Sequence, residues 1–73
     1  MSQEIHDFVL EYLAGHRPAT AREIADAHAY ERGGPQGPVA AAQMLLDLQA
    51  METFREVEVA GRDGAGSARW RSA

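Results

Sequence analysis

Seventy-three residues, 45% hydrophobic and 25% charged, make an ordinary globular composition with room for one small domain spanning residues 1–73. The absence of cysteine excludes a disulfide framework and a thiolate metal site, so a hydrophobic core or a partner chain must hold the fold. Eleven carboxylates against seven arginines and no lysine give a net charge of -4 and a pI near 5.2, which is not the balance of a basic nucleic-acid-binding domain.

Ile5, Phe8, Val9, Tyr12 and Leu13 recur at the spacing of an amphipathic helix. Ser2 is placed to cap its start, and Gly15 to end it in a left-handed conformation. Pro18 breaks the chain, and Ala19-Thr20 reads as a short extended stretch. Thr20 followed by Glu23 is a capping box, each side chain satisfying a backbone donor of the other's turn. It opens a second helix that carries Ile24, Ala25, Ala27 and His28 and runs to about Tyr30.

Residues 31–38 hold three glycines and two prolines and read as a loop. Pro38 suits the first turn of a third helix, because its missing N–H costs nothing there. That helix is predicted to place Ala41, Met44, Leu45, Leu48 and Met51 on one face and to end near Glu52. Phe54, Val57 and Val59 are the next apolar positions, and the two valines alternate with Glu56 and Glu58 at the period of a half-buried strand. Residues 61–66 make a turn. Ala68 and Trp70 then alternate with Arg69 and Arg71 on a return strand.

The order helix, short strand, helix, turn, helix, hairpin resembles the winged-helix family. Thr20-Ala21-Arg22-Glu23-Ile24-Ala25 is similar to that family's second helix. Ala41, Leu45, Leu48 and Phe54 sit at the offsets of its third, and Trp70-Arg71 closes the hairpin as an aromatic-then-basic pair. The resemblance covers nearly the whole chain and implies an α+β fold of three helices followed by a β-hairpin wing, with a short third strand after helix 1. Two positions depart from the pattern. The stretch between helices 2 and 3 is about eight residues rather than three or four, and Glu52 stands where glycine is frequent. The resemblance further implies a small DNA-binding or DNA-associated regulatory protein, a prokaryotic or phage transcription regulator or accessory protein.

The surface chemistry bears on that expectation. No arginine falls between Pro35 and Glu52, so only Gln43 on the outer face of helix 3 can read a base edge. Residues 1–52 carry eight carboxylates and three arginines, whereas residues 53–73 carry three carboxylates and four arginines. The basic element is therefore the wing. Arg62, Arg69 and Arg71, helped by Arg22, Arg32 and Gln43, are the candidate contacts to double-stranded DNA. The alternative is a protein-interaction or homodimerisation module without nucleic-acid binding. Its contact residues would be Val39, Ala42, Leu46 and Met51 on helix 3, unless the 31–38 loop folds over that patch.

Trp70 reads as a residue that pins the hairpin to the core, with an exposed stacking surface between two arginines as the other option. His6, His16 and His28 lack metal-ligand spacing and read as satisfied surface or boundary histidines. Ser2, Ser67 and Ser72 lie away from any activating histidine, and the glycine stretches lack the Gly-Lys-Ser/Thr ending of a phosphate loop. No enzyme activity, metal or cofactor is expected. The N-terminus has no signal-peptide pattern, and no apolar run approaches the roughly 20 residues of a membrane span. A cytoplasmic protein with no membrane contact is therefore expected.

Overall fold

A computed structural model describes residues 2–73. Six elements follow in chain order: α1 (Gln3–Gly15), β1 (Ala19–Thr20), α2 (Ala21–Arg32), α3 (Pro38–Thr53), β2 (Val57–Arg62) and β3 (Ala68–Ser72). They build a small α+β fold in which three helices pack on one antiparallel sheet of order β1-β3-β2. No helix among the described residues is long and apolar enough to cross a membrane.

Local chemistry explains most of the boundaries. The Ser2 hydroxyl accepts the Ile5 N–H at 3.2 Å and starts α1. The Thr20 hydroxyl accepts the Glu23 N–H at 3.2 Å while the Glu23 carboxylate accepts the Thr20 N–H at 2.9 Å, completing the capping box. Because β1 runs directly into that box, the box also fixes where α2 departs from the sheet.

Several boundaries differ from the sequence reading. Gly15 is the last residue of α1 and not a left-handed cap; the chain leaves the helix through an extended His16. α2 runs past Tyr30 to Arg32, because Gly33 takes up the left-handed conformation (φ 71°) and donates its N–H to the Ala29 carbonyl. Only residues 33–37 separate α2 from α3, so the link is shorter than the eight residues predicted. Pro38 does open α3.

The left-handed residue after α3 is Arg55 (φ 60°). Its N–H donates to Glu52 and the Glu56 N–H donates to Met51, the paired hydrogen bonds of a Schellman ending with arginine at the position glycine favours. The hairpin turn also begins later than predicted, after Arg62. Asp63 organises it by accepting the N–H groups of Ala65 and Ser67, both at 2.9 Å.

The core is Phe8, Val9 and Leu13 from α1, Ile24 and Ala25 from α2, Met44, Leu48 and Met51 from α3, with Ala19, Val57 and Trp70 from the sheet. Trp70 is buried, as its alternation with the arginines predicts. Its Nε1–H meets no hydrogen-bond acceptor among the described residues. Three apolar expectations fail. Leu45 lies at the rim (37% exposed), because the inward line of α3 runs through Met44, Leu48 and Met51. Phe54 caps α3 and is 76% exposed. Val59 faces the same way as Val57, but burial falls away along β2 and leaves it open.

Candidate functional site

The six residues expected to contact nucleic acid do not gather on one face. Arg32 lies in the α1–α2 seam. It reaches Glu4 at 3.3 Å and Glu11 at 3.9 Å, and its guanidinium sits 5.3 Å from the centre of the Phe8 ring. Arg22 pairs with Asp26 one turn along α2 at 3.2 Å, and Gln43 donates to Asp47 one turn along α3 at 3.3 Å. Arg71 pairs with Glu58, directly opposite it in the β2–β3 register. Arg62 turns back to donate to the Gly66 carbonyl at 3.0 Å. Arg69 makes no ion pair among the described residues.

The start of α2, α3 and the hairpin turn converge on a groove of about 250 Å³, lined by Thr20, Ala21, Arg22, Ala41, Ala42, Leu45, Ser67 and Ala68. Its walls are small and largely apolar. Arg22 is the one cation lining it and is already paired. Phosphate contacts need unpaired cations, and this groove supplies none.

Along the same helix an apolar line faces solvent. Val39 is 82% exposed and Leu46 60% exposed, and Ala42 and Ala50 are also open. At about 100° per residue these four fall on one side of α3, opposite Met44, Leu48 and Met51. Met51 itself is fully buried and belongs to the core, which removes it from the predicted partner-binding set. The 33–37 link does not cover the line. Pro35 instead lies over the seam of α2 and α3, lining a small hollow with His28, Gln43 and Asp47.

The sequence reading missed a second surface. Tyr12, His16, Arg17, Pro18, Ala19, Glu23 and Arg69 line an open hollow of about 390 Å³ at the end of α1. The Tyr12 and His16 rings stack at 4.0 Å with 9° between their planes, continuing an aromatic ladder from Phe8. The His16 Nδ1–H donates to the Tyr12 carbonyl at 2.6 Å, which fixes the tautomer and the ring plane. The Tyr12 phenol is held above its ordinary pKa by burial and then by the fields of Glu23 and Glu31, so it stays neutral at physiological pH. The only sequence signal for this hollow was the aromatic spacing on α1. Arg17 and Arg69 line the same hollow because β1, which follows Arg17 closely in sequence, pairs Thr20 with Arg69.

Two histidines tie elements together. His6 Nε2 lies 2.5 Å from a Glu56 oxygen and its Nδ1 lies 3.3 Å from Asp7. Hydrogen bonding first to Glu56 and then to Asp7 raises its pKa above the ordinary value near 6.5, against the opposing effect of burial. His28 is buried edge-on against Phe8 and bonds Glu4 at 2.9 Å. A Cβ placed on Gly34 would come within 2.5 Å of the His28 ring, so glycine is what lets the link pass over it. No three His, Asp or Glu side chains among the described residues are grouped to hold a metal ion. The chain matches no protein-family model, no curated protein and no solved structure.

Proposed function

We propose that the chain is a winged-helix-like protein-interaction module whose working surface is the outer side of α3. The element order, with β3 central between β1 and β2, supports the winged-helix reading. The observation that carries the docking reading is the exposed line Val39, Ala42, Leu46 and Ala50. Exposed apolar residues aligned along one side of a helix mark an interaction surface, and nothing among the described residues covers these four. The test is sedimentation of the protein as purified, alone and with co-purifying material. The expected result is a dimer or a bound partner protein that Leu46→Glu releases while circular dichroism stays native. A monodisperse monomer with nothing bound overturns it.

A second reading, weak association with duplex DNA, rests on Arg62 and Arg69, which no carboxylate neutralises, and on the turn standing beside the start of α2. Binding of this kind would be backbone-directed and steeply salt-sensitive. Amide shifts at residues 61–71 on titration with random duplex at low salt are expected; unmoved amides there exclude it.

A further inference from the structure

We propose that the hollow at the end of α1 binds a nucleotide unit, a base with its phosphate, on a surface separate from α3. The inference goes beyond the docking reading and does not rest on it.

The argument begins with charge. Arg17 and Arg69 line one hollow, and neither has a carboxylate within ion-pair distance among the described residues. The one carboxylate in its wall, Glu23, is engaged by the Thr20 N–H. Every other arginine except Arg55 is held by a carboxylate or a carbonyl. On a chain of net charge -4, this hollow gathers two arginines without a carboxylate partner, so an anion entering it meets positive charge that nothing in the wall has already paired. Paired guanidinium groups match the geometry of phosphate oxygens.

The second observation is the aromatic platform. Phe8 and Tyr12 stack one turn apart on α1, and His16, the extended residue that follows the helix, folds its ring back onto Tyr12 through the Tyr12 carbonyl. His16 is the exposed end of the ladder, and its ring is locked by the Tyr12 carbonyl. Its outer face can take another flat ring without reordering. With the proton on Nδ1, its Nε2 is an acceptor without a partner among the described residues and can take a hydrogen bond from a base N–H or a sugar hydroxyl. Stacking plus unpaired arginines is the chemistry of single-strand and nucleotide recognition. The volume falls within the ordinary range for small-molecule sites.

Free nucleotide and single-stranded nucleic acid share this chemistry, and the titration separates them. The probes are thymidine 5′-monophosphate, a short oligothymidylate, inorganic phosphate and thymidine, followed by NMR at His16, Arg17 and Arg69. The expected result is saturable binding of the monophosphate or the oligomer, at least about tenfold tighter than phosphate or thymidine alone. Saturation by the monophosphate assigns a free nucleotide, and saturation by the oligomer only assigns a strand. Arg69→Ala and Arg17→Gln should each weaken binding about three- to tenfold, and His16→Ala should remove the advantage over phosphate. Leu46→Glu should change nothing, which separates this site from the α3 surface. Equal affinity for inorganic phosphate, or no saturation by any probe, overturns the proposal.

Discussion

The two sides of α3 are built from nearly the same chemistry and do different things. Met44, Leu48 and Met51 on one side and Val39, Ala42, Leu46 and Ala50 on the other are all apolar, yet only the first set is covered. Apolar composition alone does not decide burial; the presence of α1, α2 and the sheet on one side does. An uncovered side adds little to folding. The contrast predicts that the two sides respond differently to the same substitution.

The largest effects should fall on the covered side. Trp70→Ala, which empties a buried position where β3 meets the core, should destabilise the protein by about 3–5 kcal/mol. Leu48→Ala should cost about 2–5 kcal/mol. Leu46→Ala, the same chemistry two residues away, should stay within about 0.5 kcal/mol. Urea unfolding of the three variants checks this. A Leu46→Ala cost comparable to that of Leu48→Ala would break the comparison, because the outer line would then be core. In a chain this small the Trp70 variant could prove unfolded, and Trp70→Phe serves as the milder companion. It gives up volume but also removes an indole N–H that finds no partner.

A smaller effect of opposite sign is expected where α3 ends. Arg55 occupies a left-handed backbone conformation that costs a non-glycine residue about 1–2 kcal/mol. Its Schellman hydrogen bonds come from backbone groups and survive substitution. Arg55→Gly should therefore stabilise the protein by up to about 1 kcal/mol, less the entropy that glycine adds to the unfolded chain. A drop in the urea midpoint would mean that the arginine side chain holds the corner.

These particulars show what the sequence disclosed and why. The capping box of Thr20 and Glu23, the Ser2 cap, Pro38 at the head of α3 and the inward Trp70 were legible because each depends on residues within a few positions, or on a period of two. The orientation of α3 was only half legible. Periodicity locates a buried face by contrast with a polar one, and α3 offers little contrast, so Leu45 was placed inside and Met51, rightly on the core face, was also offered to the partner patch. Long-range partners were not legible. Nothing local says that Glu58 will face Arg71, that Glu4 will hold both His28 and Arg32, or that β1 will carry Arg17 to Arg69. The basic wing was therefore visible as a count of arginines but not as a surface, since its charges are largely tied to neighbours.

The smallest effect concerns a side-chain contact that ties α1 to the corner following α3. His6 Nε2 meets Glu56 at 2.5 Å, at the residue that completes the Schellman ending. Hydrogen bonding to Glu56, and then to Asp7, favours the protonated ring and raises its pKa in the folded protein above the ordinary value near 6.5. Folding then takes up a proton in the window between the two values. The stabilisation is fully present below about pH 6.5 and is lost as pH rises through the raised folded value. Other ionisable groups also contribute to the pH dependence, so the informative quantity is a difference between proteins. The thermal midpoint of the wild type should fall between about pH 5.5 and about pH 8.5 by more than that of His6→Gln, which keeps a hydrogen-bonding group without the charge. Parallel pH profiles for the two proteins would show that Glu56 meets a neutral imidazole. The contact would then be a neutral Nε2–H hydrogen bond that ties α1 to this corner without adding pH dependence.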